Sequence, residues 1–240
     1  MTPFLENVLS AHGSLKKWKQ YTTVSVVLKF GGLAFRSKLN NKGSTFRLVD
    51  ISTKIPVVFF NNFPTHGLIG VFSRDEVRIE TIDGIVLETR TQPRDFFKTF
   101  RRTFYWDDLD LLYFAGYACW NYFNSPFMLA SDNFIVSQLE PWKENGQYWN
   151  RLLVRVPDSI PTHSTFQTFY FDNGFLITRV DYRPTVFAKW ARAAHYCYDY
   201  IDCSGLKFPM RREVFPNTSN GTSKPFPKLV WIEVAELSLK

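Results

Sequence analysis

The sequence predicts a mainly β protein of the α+β class. In it, a large curved antiparallel sheet, or half-barrel, is plugged by an N-terminal helix and a central apolar helix. Most of the chain consists of short runs of alternating apolar and polar residues joined by short turns, which is typical of an antiparallel meander. One long apolar segment has the end signals of a buried helix. About eleven to thirteen candidate strands exceed the roughly ten at which an open twisted sheet curls or closes.

The first segment is predicted to be a helix. Thr2 takes the N-cap position and Pro3 the first helical position, where proline is favoured because its missing N–H would have no helical partner. Leu5 and Val8 belong to an apolar stripe at helical spacing. The His-Gly pair at 12–13 either ends this helix or joins two short helices.

From Tyr21 the pattern changes to a period of two residues, which indicates strands. Val24 and Leu28 lie on the apolar face of the first strand, and the pair Gly31-Gly32 predicts a hairpin turn into a second strand over residues 33–39. Short turns separate the other candidate strands of this half, at 44–52, 56–61, 68–73, 76–81 and 84–90.

The segment from Trp106 to Leu129 predicts one buried helix around which the rest is arranged. Asp107 takes the N-cap position, with Asp108 and Asp110 in the first turn, where acidic groups favour the positive end of the helix dipole. Residues 111–120 are all apolar, aromatic or glycine, so we expect contacts on more than one side. This apolar run is far shorter than the roughly 20 residues that span a bilayer, so we expect no stable membrane insertion.

The second half repeats the strand pattern. Asp172-Asn173-Gly174 is a strong hairpin signal, 183–193 predicts a short helix or a loop excursion, and 217–224 a polar loop. No internal repeat or linker appears, so we expect a single domain over residues 1–240. The candidate strands are 134–140, 148–156, 165–171, 174–182, 194–202, 206–215 and 229–239.

Composition excludes some functional classes. The net charge is +7 and the pI about 9.3, but basic residues are spread along the chain without a run, so we expect a solvated basic surface and no nucleic-acid partner. The three cysteines form no C-x-x-C pair and are predicted to be buried thiols. Because the N-terminus lacks the basic and apolar regions of a secretory signal, we expect a cytoplasmic protein.

Several short motifs are spread over most of the chain. They are Ala11-His12-Gly13, Phe30-Gly31-Gly32-Leu33, Trp106-Asp107-Asp108-Leu109, Tyr113-Phe114-Ala115-Gly116-Tyr117-Ala118, Thr162-His163-Ser164, Asp181-Tyr182, Ala194-His195-Tyr196 and Pro209-Met210-Arg211-Arg212. In the order of its predicted elements, the chain resembles the lipoprotein-carrier (Lol-type) fold of bacterial lipid-binding proteins. In these motifs, it looks still more like a group of uncharacterised bacterial proteins that lack signal peptides. The carrier resemblance implies a fold, and a fold does not fix a function.

Candidate catalytic residues lie on three neighbouring strands. His163 lies at the start of one strand, Arg179 and Asp181 share a face of the next, and His195 and Asp199 share a face of the third. If these strands pair in sequence, a histidine could act as general base with an aspartate as its partner. Arg179, or alternatively Arg183 or Arg211, could then bind an anionic oxygen. The alternative is that these groups form ordinary cross-strand pairs on a solvated face.

Aromatic residues supply the candidate ligand-binding surface. Those of the central helix lie along one helical face, where they either floor a cavity or belong to the core. Gln167 and Phe169 share strand parity with His163. The predicted ligand-binding residues are Trp106, Tyr113, Tyr117, Trp120, Phe123, Gln167, Phe169 and Arg211.

Two functional hypotheses of different classes follow, with a third kept open. The leading hypothesis is a soluble protein that binds a hydrophobic or amphipathic small molecule inside the half-barrel. The alternative is a cofactor-independent enzyme, a cyclase, isomerase or hydrolase, that acts on an apolar substrate in the same cavity. No nucleotide-binding, zinc-protease or nucleophile-elbow motif is present, and we expect no cofactor and no metal site. The third hypothesis is an interaction module with a filled core.

Overall fold

The computed structural model describes residues 2–144 and 146–240, and its framework is a 13-stranded antiparallel sheet. This confirms the predicted mainly β half-barrel. The helices are α1 (Pro3–Ala11), α2 (Leu15–Trp18), α3 (Leu33–Arg36), α4 (Pro93–Phe96) and α5 (Asp108–Asn124). The strands are β1 (Thr23–Gly31), β2 (Arg47–Ser52), β3 (Val58–Asn61), β4 (Leu68–Phe72), β5 (Glu76–Thr81), β6 (Val86–Thr91), β7 (Ile135–Glu144), β8 (Gln147–Arg155), β9 (Phe166–Phe171), β10 (Ile177–Tyr182), β11 (Ala193–Cys203), β12 (Leu206–Pro216) and β13 (Val230–Leu239).

The sheet consists of two meanders joined by the first and last strands. Strands β1 to β6 pair in sequence order, β7 to β13 do the same, and β1 pairs with β13 in the middle of the sheet, for example at Val24 and Leu239. Strands β6 and β7 therefore form the two outer edges. The connection 92–134 between them must cross the full width of the sheet, and α5 is the main part of that connection.

The N-terminal segment forms two short helices, one of the two outcomes left open for the His-Gly pair. The Thr2 hydroxyl accepts a hydrogen bond from the backbone N–H of Leu5 at 3.3 Å, which confirms the predicted N-cap. Trp18 of α2 stacks on Phe127 with ring centroids 4.6 Å apart. Phe4 of α1 lies edge-on to Phe171 of β9, with ring centroids 5.6 Å apart, so the N-terminal segment packs against the sheet.

The second strand predicted over residues 33–39 is wrong, because this segment contains the short helix α3. Gly32 adopts a left-handed φ of +127° and turns the chain out of the sheet. The backbone N–H of Ala34 then donates to the carbonyl of Leu229 at 2.9 Å. Phe35 is buried against the nearby Phe30 and against Phe114 of α5, so its burial depends on a long-range contact and not only on local alternation.

A network of ion pairs fixes the start of α5. Asp107 is the N-cap and forms a capping box with Asp110, as its predicted N-cap position suggested. Arg90 bonds to both carboxylates, at 2.8 Å and 2.6 Å, and Arg102 bonds to Asp107 at 2.8 Å. Burial, with the neighbouring charge of Asp107, raises the pKa of Asp110 to about 6. The N-terminus of α5 is thereby tied to the β6 edge of the sheet.

Helix α5 packs closely against the concave face of β2 to β5. A Cβ atom added to Gly116 would lie 2.3 Å from Cβ of Phe72, and one added to Gly70 would lie 2.8 Å from a methyl group of Leu112. The two glycines therefore allow the helix to approach β4 more closely than larger residues would. This tight contact leaves the opposite side of α5 facing the central strands.

Replacing Gly116 by alanine tests this close packing. In an unconstrained helix Gly→Ala stabilises by up to about 1 kcal/mol. Here the added methyl group overlaps Phe72, so we expect Gly116→Ala to lower the free energy of unfolding by about 1–3 kcal/mol. Urea denaturation measures the change, and an increase in stability would contradict the close contact.

Candidate functional site

A cavity of about 450 Å³ lies between α5 and the concave face of the central strands. Its volume falls within the roughly 300–1,000 Å³ range of small-molecule pockets. The helix contributes Phe114, Ala115, Ala118, Cys119 and Tyr122, and the strands contribute Leu28, Phe30, Ala193, Val214 and Ile232. Most of the wall is therefore apolar.

Three connecting segments complete the wall of the cavity at the surface. They are the α3 segment, with Leu33, the connection 183–192, with Phe187 and Trp190, and the connection 217–229, with Lys224. The side chain of Trp190 is 84% exposed and that of Leu33 is 47% exposed. Because two lining residues contact solvent, the cavity is open to the surface.

A chain of hydrogen bonds between neutral side chains forms the polar part of the wall. The Tyr122 hydroxyl lies 2.7 Å from Nε2 of His163 and 3.0 Å from the Tyr182 hydroxyl. The Tyr117 hydroxyl lies 3.2 Å from Nδ1 of the same imidazole. His163 stacks on Tyr182, with ring centroids 4.0 Å apart and an interplanar angle of 5°. Three of the four residues, all but Tyr117, line the cavity.

Burial keeps this chain of side chains neutral. It lowers the pKa of His163 to about 3, with a smaller contribution from the charge of Arg94, and it raises the pKa of Tyr122 well above its usual value. A neutral imidazole donates through one nitrogen and accepts through the other. The chain can therefore form hydrogen bonds with a ligand oxygen without placing a charge in the apolar cavity.

A second buried histidine lies behind Tyr122. The rings of His195 and Tyr122 are 4.4 Å apart, and Nε2 of His195 is 3.5 Å from the guanidinium of Arg212, which is too long for a strong hydrogen bond. Arg212 donates to the Tyr122 carbonyl at 2.9 Å and to the sulfur of Cys197 at 3.1 Å. Burial and the nearby guanidinium lower the pKa of His195 well below its usual value, so its ring is neutral.

The predicted convergence of three strands on one face is wrong. His163 and His195 lie on the inner side of the sheet, but Arg179 and Asp181 project from its outer side, because the alternate residues Val180 and Tyr182 face inward. Arg179 bonds to Asp181 through Nε at 2.6 Å and also to Glu144.

Asp199 is likewise distant from the histidines. It is exposed, adopts a left-handed φ of +58°, and pairs with Arg211 on the outer face at 2.8 Å. Among residues 2–144 and 146–240, no histidine is hydrogen-bonded to a carboxylate. The His/Asp acid-base pair required by the enzyme hypothesis is thus not assembled. Asp199 forms a cross-strand pair with Arg211 on an exposed surface, as the alternative predicted, whereas Asp181 pairs with the buried Arg179 of its own strand.

The predicted ligand-binding residues do not line the cavity either. The helical stripe of Tyr113, Tyr117, Trp120 and Phe123 is buried, and the cavity faces the neighbouring surface of α5 that includes Tyr122. An all-apolar helix gives no sequence signal that distinguishes these two faces. The remaining predictions are placed as follows: Trp106 and Phe169 are buried in the core, Gln167 donates to the Thr162 hydroxyl, and Arg211 lies on the outer face.

Sequence reasoning missed Tyr122, Tyr182 and the segment that carries Phe187 and Trp190. Tyr182 could have been found, because it alternates with Asp181 and must face the opposite side of the strand. Tyr122 is next to the predicted Phe123, but only the packing of α5 places it in the wall. No local pattern in 183–192 indicates the mouth of a cavity.

Two further properties bear on the candidate site. Over the part of the chain that the structure describes, no group of three histidine, cysteine or acidic side chains is arranged to hold a metal ion. No helix within the same residues is both long and apolar enough to cross a bilayer.

The buried histidines predict a loss of stability in acid. Burial lowers the pKa of His12 to about 4 and that of His163 to about 3, whereas an unfolded histidine has a pKa of about 6.5. Below about pH 6.5 the unfolded chain therefore binds more protons than the folded chain, so the stability present above this pH is lost as pH falls. We expect a loss of about 1.4 kcal/mol per pH unit for each of these histidines.

Urea denaturation between about pH 7.5 and about pH 5 measures this slope. His12→Gln should make the slope shallower, and His66→Gln, a change in an exposed loop, is the matched control. A free energy of unfolding that does not vary over this range would contradict the neutral, buried state of the imidazoles.

Comparison with known proteins places the fold. No model of a known protein family matches the chain, and no curated protein matches it. A LolA superfamily protein from Nitrosomonas europaea aligns with a TM-score of 0.51 and 8% identity, over 97% of this chain and 92% of that chain. A DUF1329 family protein from Desulfovibrio piger aligns with a TM-score of 0.51 and 10% identity, over 100% and 94%. At such low identity the likeness concerns the fold alone, and it confirms the predicted resemblance to the Lol-type half-barrel.

Proposed function

We propose that the protein binds a hydrophobic or amphipathic small molecule, such as a lipid or an isoprenoid, in the cavity between α5 and the sheet. The observation that supports this most directly is an apolar space of about 450 Å³ that the side chains of the protein leave open. Protein interiors are normally packed as densely as organic crystals, with few voids larger than a water molecule. The likeness to the Lol-type half-barrel is consistent with such a cavity.

The lining of the cavity favours an alkyl or terpenoid chain. Each methylene group moved from water into an apolar site contributes about 0.8 kcal/mol, so a chain of only eight carbons gains roughly 6 kcal/mol before the cost of ordering it. Small side chains, Ala115 and Ala118 on α5 and Ala193 on β11, leave the room that such a chain would occupy.

The neutral hydrogen-bonding chain provides one polar anchor inside the apolar wall. Both ring nitrogens of His163 are occupied by Tyr117 and Tyr122, so the group that can bond to the ligand is the Tyr182 hydroxyl at the end of the chain. When the Tyr122 hydroxyl donates to it, the Tyr182 hydroxyl can donate to a carbonyl, ester or hydroxyl oxygen. Binding rather than catalysis is favoured, since none of these groups carries a charge or contacts a carboxylate that would orient it.

Other expectations from the sequence stay predictions. They are the cytoplasmic location, the single domain and the lack of a nucleic-acid partner.

The first test is to identify what the protein retains. Organic extracts of the purified protein, analysed by mass spectrometry, should contain a recurring apolar compound, and the stripped protein should bind a fluorescent apolar dye such as 1-N-phenylnaphthylamine. Absence of both a copurifying compound and dye binding would overturn the proposal.

A cavity-filling variant makes the test specific to this site. Ala118→Leu adds three carbon atoms inside the cavity, so we expect it to weaken dye binding at least tenfold while the protein stays folded. Ala235→Leu makes the same substitution at an exposed position of β13 and should leave dye binding unchanged. Equal affinity of Ala118→Leu and the unaltered protein would place the dye elsewhere.

A further inference from the structure

We propose that the ligand is an amphiphile with an anionic headgroup, a phosphate or a carboxylate, and that this headgroup binds in a basic cleft next to the cavity. The proposal rests on the proposed function, because the apolar part of the same molecule must occupy the cavity. It adds the chemical class of the headgroup and the residues that bind it.

The cleft and the cavity adjoin each other. The cleft has a volume of about 730 Å³ and is lined by residues of β8, β9 and β10 and by the loop 217–221. Tyr182, Arg192 and Asn217 line both the cleft and the cavity. One elongated molecule can therefore place its chain in the apolar space and its headgroup in the polar space.

The cleft carries positive charge that its own carboxylate does not neutralise. Its only lining carboxylate among the described residues, that of Asp181, is already occupied. It accepts hydrogen bonds from Arg179 at 2.6 Å and 2.8 Å, from Tyr170 at 2.9 Å and from Asn217 at 2.8 Å. Four further guanidinium groups line the cleft, on Arg94, Arg151, Arg183 and Arg192.

None of these four arginines forms an ion pair within the described part of the chain. Arg94 is held in place by the Thr162 carbonyl at 2.8 Å and the Thr185 hydroxyl at 2.9 Å, neither of which is charged. The planar guanidinium groups of Arg183 and Arg192 can donate two parallel hydrogen bonds, a geometry that matches a phosphate or carboxylate.

This arrangement differs from that of several basic residues elsewhere on the surface. Lys29 pairs with Glu233 at 2.8 Å, and Lys228 pairs with Glu213 at 2.6 Å, as expected of a solvated basic surface. The cleft instead contains guanidinium groups that form no ion pair within the described residues. It also shares part of its wall with the apolar cavity. An anionic headgroup would gain attraction there, and a cationic one would be repelled.

The test compares two ligands that share one tail. Binding of decyl phosphate and of decanol to the stripped protein is measured by displacement of the apolar dye, at low and at high salt. We expect decyl phosphate to bind at least tenfold more tightly at low salt, with an advantage that shrinks as salt screens the charges. In the double variant Arg151→Gln/Arg183→Gln, whose positions line the cleft but not the cavity, this advantage should be lost, while the affinity for decanol stays the same.

Controls separate the possible outcomes. The double variant Lys16→Gln/Arg74→Gln removes the same charge from exposed positions outside both sites and should retain the preference for decyl phosphate. Equal binding of the two ligands by the unaltered protein would overturn the headgroup proposal and leave the proposed function intact. If neither ligand displaced the bound dye, the headgroup proposal would also be overturned, whereas absence of dye binding and of a copurifying compound would overturn both proposals. If inorganic phosphate alone competed as well as decyl phosphate, the cleft would bind a soluble anion, and the lipid headgroup would be excluded.

Discussion

The close contact of α5 with β4 is the constraint on which the rest of the structure depends. Gly116 and Gly70 bring the helix onto β2 to β5, so α5 does not pack tightly against the central strands. The cavity lies between α5 and those strands, β1 and β11 to β13, where the short helix α3 supplies part of the wall. Because the connection from β6 to β7 must cross the whole sheet, the topology itself places a segment over this face.

Strand alternation separates two chemical environments by the thickness of the sheet. Adjacent residues of β10 illustrate this: Tyr182 joins the neutral hydrogen-bonded chain inside, whereas Asp181 joins the ion pairs outside. In the buried interior a charge would be costly, and His163 is accordingly neutral. The guanidinium of Arg212 also lies inside, where it donates to the Tyr122 carbonyl, whereas the arginines of the basic cleft lie on the solvent side next to the cavity. This separation matches the two ends of an amphiphile.

The order of most elements could be predicted from the sequence, because it depends on local signals. Alternation indicated the strands, Asp172-Asn173-Gly174 indicated the β9–β10 hairpin, and Thr2 and Asp107 indicated the helix starts. The prediction of a strand over 33–39 is wrong, since Phe35 is buried partly by Phe114 of α5, which lies far along the chain. Of the candidate site residues predicted from the sequence, only His163 lies in the cavity wall of the structure.

The sequence by itself determined the curved antiparallel sheet, the capped apolar helix and the need to cover a large concave surface. Only the tertiary structure decided that β1 pairs with β13, that Tyr122 rather than Phe123 faces the cavity, and that His195 and Asp181 lie on opposite sides. The physical reason is that caps, turns and periodicity act over a few residues. Contacts between distant segments decide which face of an all-apolar helix lines the cavity. They also decide which strand the last strand of the chain pairs with.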